Sequence, residues 1–272
     1  MHKQVEKTSD VVYNIFWMSV ALTKVADQHK RKREVSKLMK YKYLLFDADD
    51  TLLDFKRSEH EALTEALIKY GIDPTDEVTD TYSEINDGLW RLLERGGIGK
   101  NELRIRRFEL FAKRFGLNVD PSALAAEYTD RLAEKSFLVD NAEELCRSLY
   151  GKYRMFIITN GIKNIQESRL GASPIKEYIE KSFISEEVGY EKPSKKYFDF
   201  VEQAKHIDGF EAVKTLVVGD SLTSDIAGGV ATGIDTCWFN PRHKKLTGSV
   251  LPTYEIHSLG ELYGILDEKE KA

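Results

Sequence analysis

From residue 41 onward, short apolar runs alternate with longer stretches whose apolar positions recur every three to four residues. Short apolar runs rich in β-branched and aromatic residues are typical of buried strands, and the longer recurring pattern is typical of helices. The predicted strands are residues 43–46, 154–159, 183–185, 215–219, 236–239 and, with a weaker pattern, 254–256. Because helical stretches separate most of them, we predict an α/β fold in which helices cover a parallel sheet.

The segment between the first two predicted strands, residues 56–136, has a helical pattern throughout. It contains four amphipathic stretches, each ending near a glycine or proline. Four such helices can bury their apolar stripes against one another, so we predict an inserted helical-bundle cap domain, with residues 40–55 and 137–272 as the core. The cap aromatics fall mainly at helical spacing and are predicted to lie in the bundle core: Trp90, Phe108, Phe111 and Phe115.

The first 40 residues differ from the rest in charge, because nine Lys or Arg against four Asp or Glu give +5 in a chain whose total is −5. Their apolar run, residues 11–22, is shorter than the roughly 20 residues that span a bilayer. Charged residues follow it where a secretory signal has small ones. Two interpretations remain, a short amphipathic segment that docks on a surface or an extension without a folded role. We favour the second and expect residues 1–39 to be an unstructured extension.

Composition then excludes several classes of protein. An apolar fraction of 42% with a charged fraction of 31% is typical of a soluble globular protein, which argues against disorder. A pI near 5.8 gives no basic surface for a nucleic acid polymer. Cys146 and Cys237 are too few for a disulfide framework and lack metal-ligand spacing, so we predict core thiols in a cytoplasmic protein.

Carboxylates are concentrated where the first predicted strand ends, in the run Asp47-Ala48-Asp49-Asp50-Thr51. Such a run also suits an acidic turn or a helix N-cap, which Asp and Thr both favour. Like charges this close repel, and they persist more readily when a cation neutralises them or one of them keeps its proton. Ligands of open parallel sheets bind beyond the carboxyl ends of the strands, which is where this run lies.

The other strand ends carry complementary groups. Thr159 and Asn160 follow the second strand, in a turn whose backbone N–H groups can hold an anion. Lys192 stands before a proline that begins a helix, Asp220 follows the strand at 215–219, and Asp225 opens the next helix. Taken singly, these residues suit a turn, a surface lysine or a helix cap. Together they are the inventory for metal-assisted phosphoryl transfer.

The order of these motifs, DxDxT, TN, KP and GDSxxSD, resembles the haloacid dehalogenase superfamily over about residues 43–240. The resemblance implies a Rossmann-like core with strand order 3-2-1-4-5, and the helical insertion is similar to the C1-type cap of that family. It also implies that Asp47 is the nucleophile that forms an aspartyl-phosphate, and that Asp49 is the general acid and base. An alcohol leaving group needs such an acid and a halide does not, so the presence of Asp49 favours phosphate esters over haloalkanoates as substrates.

The same resemblance implies a Mg²⁺ site and a phosphate site. The ion, which Mn²⁺ or Co²⁺ can replace, is expected on the Asp47 carboxylate, the Asp49 backbone carbonyl and Asp220. Thr159 and Lys192, with Asn160 beside them, are expected to hold the phosphoryl oxygens of a small substrate. Asp225 is expected to orient Lys192 or a metal-bound water.

The variant DADDTL and the cap segment ELRIRRFELF resemble the pyrimidine 5′-nucleotidase branch of the superfamily, whose members have a house-cleaning role. The resemblance therefore implies a nucleoside 5′-monophosphate phosphatase, monomeric or homodimeric. Arg106 is one candidate for substrate binding among three cap arginines, although most arginines on such a helix are solvated. Two alternatives stay open: a sugar-phosphate phosphatase or phosphomutase of the same fold, and a non-catalytic module that binds a phosphate ligand.

Overall fold

A computed structural model describes residues 39–203 and 209–267, and its centre is a parallel sheet. The strands are β1 (Tyr43–Asp47), β2 (Arg154–Thr159), β3 (Lys181–Ile184), β4 (Thr215–Gly219), β5 (Asp235–Phe239) and β6 (Tyr254–Ile256). Their order is β3-β2-β1-β4-β5-β6, with every neighbouring pair parallel. The α/β class and the expected order are therefore confirmed, and β6 extends the sheet at the β5 edge.

Helices cover both faces of this sheet, which explains why β1 is buried along its whole length and shows no polar alternation. The helices are α1 (Phe55–Lys69), α2 (Asp76–Glu94), α3 (Lys100–Phe115), α4 (Pro121–Ala133), α5 (Ala142–Leu149), α6 (Lys163–Ala172), α7 (Ser185–Val188), α8 (Lys195–Gln203), α9 (Ala227–Ala231) and α10 (Leu262–Leu266). A π-helical turn, Leu222–Ile226, leads into α9. Cys146 and Cys237 are buried free thiols, as predicted.

The insertion between β1 and β2 consists of α1 to α4, the four helices that its pattern predicts. Their apolar stripes meet in a cluster of rings in which Tyr82 lies against Phe108, Phe111 and Tyr128, with centroids 5.1 to 5.7 Å apart. Pairs of rings at this separation add to the stability that burial alone supplies. The cluster extends to Ile165 of α6, so the helical insertion packs directly on the helix that follows β2.

The two chain segments that join the insertion to the core lie side by side. Leu53 forms an antiparallel bridge with Leu138, and the Asp54 N–H donates to the Phe137 carbonyl at 2.9 Å. We call residues 52–54 and 137–139 the connecting ribbon. Its pairing fixes the position at which the chain leaves the core and returns to it.

The described residues include no helix that is both long and apolar enough to cross a membrane. Residues Tyr41–Ile265 form one compact unit. The extension predicted for residues 1–39 lies, except for Met39, outside the described residues, and the predicted domain boundaries stay a prediction.

Candidate active site

The carboxyl ends of β1, β2 and β4 meet at one edge of the sheet, because parallel strands all point the same way. A cavity of about 670 Å³ opens there, within the range of small-molecule sites. It is lined by the sequence-predicted residues Asp47, Asp49, Thr159, Asn160, Lys192, Asp220 and Asp225. The structure thus brings together every predicted site residue of the core.

Lys192 occupies the floor of this cavity, and its ammonium group donates three hydrogen bonds. The acceptors are Asp47 Oδ1 at 2.6 Å, Asp225 Oδ1 at 2.7 Å and the Ile158 carbonyl at 2.9 Å. Burial lowers the pKa of Lys192, but Asp225 and Asp47 outweigh that effect and hold the pKa above its ordinary value. The side chain is therefore a fixed cation with no free hydrogen in this arrangement.

Two carboxylates contact the ammonium, and a third lies beside them. Asp47, Asp220 and Asp225 offer ligand oxygens that all lie within 4.8 Å of one another. Burial raises the pKa of Asp47 to about 8, against the lowering effect of Lys192. Burial and the neighbouring Asp47 also hold the pKa of Asp220 well above its ordinary value. Buried like charges are relieved by a divalent cation, and oxygen donors suit Mg²⁺, so the donor set fits the expected metal.

Glycine is required beside this cluster. A Cβ atom built on Gly219 would lie 2.3 Å from Asp225 Oδ2, so only glycine lets the carboxylate pack against the end of β4. The same Oδ2 accepts from the Ser221 N–H at 3.1 Å, while Oδ1 faces Lys192. Asp225 thus contacts Lys192, one of the two partners predicted for it beside a metal-bound water.

Asn160 fixes the backbone of Lys192 with two reciprocal hydrogen bonds. Its Nδ2 donates to the Lys192 carbonyl at 2.9 Å, and its Oδ1 accepts from the Lys192 N–H at 2.8 Å. The end of β2 and the segment before α8 are thereby held together. In this structure Asn160 positions the lysine, a task that the sequence pattern did not indicate.

The side chain of Asp49 turns away from the carboxylate cluster and towards α6. Arg169 Nη1 donates to its Oδ1 at 2.5 Å, and Gln166 Nε2 donates to its Oδ2 at 2.8 Å. Both partners are 1% exposed, and neither was predicted from the sequence. The available signal was a Gln-x-x-Arg pair on the helical face that also carries the apolar Ile165 and Leu170.

Asp50 connects the turn after β1 to the helical insertion. Its backbone has a φ of 59°, a left-handed conformation that Asp tolerates better than most residues. Its Oδ1 accepts from the N–H groups of Phe55 and Lys56 at 3.1 and 3.2 Å, which satisfies two unpaired donors at the start of α1. Burial and the charge of Asp49 raise the pKa of Asp50 to about 6. The N-cap residue itself is Asp54, whose side chain accepts from the Arg57 N–H, so Asp50 supplements that cap from the turn after β1.

One face of α2 forms the roof of the cavity. Asp87, Trp90, Arg91 and Glu94 fall on one stripe of the helix and all line the cavity. Trp90, predicted to lie in the bundle core, is instead half-buried: it packs against the small apolar cluster of Leu89, Leu93 and Leu103 and reaches the cavity, because it lies on the face of α2 that is turned to the core. Glu94 Oε2 accepts from Thr223 Oγ1 at 2.8 Å, so the roof contacts the core beyond β4.

The candidate Arg106 is not brought to this cavity. It lies on the exposed side of α3 and pairs with Glu102 one turn away. Of the other two arginines, Arg104 bonds Glu186 at 2.7 Å and Arg107 is buried within the bundle. The rotation of α3 turns these side chains to solvent, to α7 or inward, so the three arginines lie outside the cavity lining.

This chain is similar to a known hydrolase family and to named enzymes. The family model of the haloacid dehalogenase-like hydrolases matches residues 41–233. Pyrimidine 5′-nucleotidase PynA of Streptococcus pneumoniae is 41% identical over 85% of this chain and 97% of its own length. Pyrimidine 5′-nucleotidase YjjG of Escherichia coli is 36% identical over 84% of this chain and 99% of its own.

A third relative is known in both sequence and structure. The HAD-hydrolase YfnB of Bacillus subtilis is 40% identical over 85% of this chain and 97% of its own length. Its crystal structure, described as bound to magnesium and as revealing interdomain movement, has a TM-score of 0.80 and covers 84% of this chain and 100% of that one. These matches include both the strand ends and the α1 to α4 insertion.

Proposed function

This chain belongs to the haloacid dehalogenase-like hydrolase family and is a phosphoric monoester hydrolase, and we propose that its substrates are pyrimidine nucleoside 5′-monophosphates. The reaction needs a divalent cation in this proposal and passes through an aspartyl-phosphate on Asp47. One observation carries the proposal: the phosphoryl-transfer groups at the strand ends and the mixed aromatic and charged face of α2 enclose a single cavity. A house-cleaning role for modified pyrimidine nucleotides belongs to the same proposal.

In the first step, a carboxylate oxygen of Asp47 attacks phosphorus. An oxygen–phosphorus bond forms on Asp47 while the bond to the leaving alcohol breaks, and Asp49 gives its proton to the leaving oxygen. In the second step, water attacks the phosphorus of the aspartyl-phosphate and Asp49 takes up its proton. Inorganic phosphate leaves, and Asp47 is free again.

The remaining core residues supply charge and position. Asp47 and Asp220, with Asp225 or the Asp49 carbonyl beside them, would hold the cation, which supplies positive charge to the phosphoryl oxygens when bound. Lys192 adds a second positive charge at 2.6 Å from Asp47 Oδ1. Fixed charges of this kind stabilise the transition state because they need no rearrangement during the reaction.

The leaving group would extend towards α2. Trp90 offers an aromatic surface on which a base can stack. Asp87 and Arg91 lie on the same stripe and offer an acceptor and donors to the polar edge of a pyrimidine. Lys56 Nζ already bonds Asp87 Oδ1 at 2.7 Å, which orients that carboxylate at the cavity wall.

The test is phosphate release from a panel of nucleoside monophosphates and sugar phosphates, with Mg²⁺ and with a chelator. The wild type is compared with Asp47→Asn and with the matched control Asp80→Asn, which changes an exposed aspartate of α2. We expect release from pyrimidine monophosphates that needs Mg²⁺, is abolished in Asp47→Asn and is unchanged in Asp80→Asn. A wild-type sample that is acid-quenched during turnover and analysed by mass spectrometry should carry phosphate on Asp47.

Each alternative has its own outcome in this experiment. A preference for sugar phosphates would keep the chemistry and refute the nucleotide substrate, and interconversion of phosphate esters without release would indicate a phosphomutase. Phosphate binding without turnover of any ester would indicate the non-catalytic module.

A further inference from the structure

Gln166 connects two parts of the site through a single amide group. Its Nε2 donates one hydrogen to Asp49 Oδ2 and the other to Thr159 Oγ1, both at 2.8 Å. Its Oε1 accepts from Arg169 Nη1 at 3.1 Å. Because arginine only donates, Gln166 Oε1 must face Arg169, and Nε2 must therefore face Asp49 and Thr159.

The consequence appears at the hydroxyl group of Thr159. A hydroxyl has one hydrogen and two lone pairs. Thr159 Oγ1 already accepts from Gln166 Nε2 at 2.8 Å and from the Gly161 N–H at 3.0 Å, so both lone pairs are engaged. Among the described residues, no hydrogen bond has Thr159 Oγ1 as its donor. The hydroxyl hydrogen is therefore left for a ligand in the cavity that Thr159 lines.

We propose that Gln166 is a positioning residue that makes the Thr159 hydroxyl a donor to a phosphoryl oxygen while it holds the Asp49 carboxylate. The inference rests on the proposed phosphomonoesterase reaction and assigns a role to a residue outside all four sequence motifs. An isolated hydroxyl would rotate and bind a water as readily as an anion. With two donors directed at its oxygen, the Thr159 hydroxyl presents only its hydrogen.

Gly161 supports this arrangement from the other side. A Cβ atom on Gly161 would lie 2.6 Å from Gln166 Cγ and Nε2, so the amide is packed against a residue that only glycine can supply. Gln166 is also 1% exposed, which leaves its amide no water to exchange with. The geometry is thus built to hold one orientation of the amide.

The experiment is a double-mutant cycle on the full chain with Mg²⁺. Inorganic phosphate is titrated calorimetrically into the wild type, Gln166→Met, Thr159→Val and the double variant. A hydrogen bond to a charged group contributes on the order of 10-fold or more to affinity, so each single variant should bind phosphate about 10-fold more weakly. The double variant should bind no more weakly than Thr159→Val, because Gln166 acts on phosphate through the Thr159 hydroxyl.

Turnover supplies the second readout. Gln166→Met should lower kcat further even in the Thr159→Val background, because the Asp49 carboxylate loses one of its two donors. The effects of the two substitutions should thus be non-additive for phosphate affinity but additive for kcat, a pattern that a general loss of structure would not give. Thermal melting checks that all variants fold. If Gln166→Met does not fold, Gln166→Asn shortens the side chain, keeps the amide and runs the same cycle.

Equal weakening by Gln166→Met in both backgrounds, or none in either, would overturn the inference. This failure is distinct from failure of the proposed function, since phosphate binding is measured without turnover. A wild type that hydrolyses no ester yet shows the non-additive cycle would refute the enzyme proposal and keep the role of Gln166 in phosphate binding.

Discussion

Replacing Lys192 with methionine tests the charge balance of the site. The ammonium is 2% exposed and is the shared partner of Asp47 at 2.6 Å and Asp225 at 2.7 Å. Methionine retains most of the length and apolar volume of the side chain but removes the charge and its three donors. Two buried carboxylates and the Ile158 carbonyl then lose a partner at once.

The size of the loss follows from this geometry. Removing one member of a buried ion pair costs about 3–5 kcal/mol, because the remaining charge stays buried without compensation. Small domains have roughly 5–15 kcal/mol of stability in total, so the loss should be easy to measure. Mg²⁺ should reduce the difference in unfolding free energy between the wild type and Lys192→Met. The ion should bind the variant more tightly, because the lysine no longer neutralises the same carboxylates. An ion at 100 times its Kd stabilises by about 2.7 kcal/mol.

The assay is urea unfolding of the wild type and Lys192→Met, in chelator and in excess Mg²⁺, followed by far-UV circular dichroism. The control is Lys195→Met, which removes a 65% exposed lysine paired with Asp199 and should cost less than about 1 kcal/mol in both conditions. A loss below about 1 kcal/mol for Lys192→Met in chelator would show that the triad is not the charged network described here. If Mg²⁺ leaves the difference in unfolding free energy unchanged, Lys192 and the metal ion do not share the same carboxylates.

Three further outcomes are expected. Burial raises the pKa of Asp47 to about 8, so the folded state holds this proton more tightly than the unfolded chain does. Urea titrations in chelator should therefore show the free energy of unfolding falling as pH rises from about 4 to about 8, and a rise would contradict the assignment. Arg106→Ala should leave kcat/KM and the melting temperature nearly unchanged, because Arg106 is exposed. Arg107→Ala should lower the melting temperature clearly, because Arg107 is buried. Equal shifts in melting temperature for the two variants would contradict this difference in burial. Gly161→Ala places a Cβ 2.6 Å from Gln166 and should lower kcat/KM at least ~10-fold; unchanged kinetics would show that the amide moves freely.

The family, and the cavity in which the predicted site residues of the core meet, could be predicted because the motifs lie at strand ends. Apolar runs locate the strands, parallel strands end at one edge, and the polar residue after each run must then lie near the others. Asp47, Thr159 and Asp220 are of this kind, and the structure places them in one cavity. The family predicted from these motifs is confirmed by the match to residues 41–233.

The site residues that could not be predicted from the sequence are those whose position depends on how their helix is rotated against the core. A polar residue at helical spacing gives the same pattern whether it faces water or a buried carboxylate, so Gln166 and Arg169 carried no distinct signal. The candidate Arg106 and the cavity residue Arg91 differ only in which side of their helix meets the core, a tertiary property. Strand β3 likewise begins at Lys181, earlier than its apolar run indicates, because pairing with Phe156 of β2 includes polar residues.

The connecting ribbon has a consequence for how such enzymes diversify. Because residues 53 and 138 are bridged, the chain leaves the core and returns to it at two adjacent points. The insertion is therefore joined to the sheet in the same way as the loop of a hairpin. A different insertion with the same closely spaced ends could replace it without shifting the register of β1 against β2 or β4. The α2 half of the pocket, which we propose to contact the leaving group, can then change during evolution while the residues at the strand ends are retained. Related enzymes with unrelated insertions are the expected outcome of this architecture.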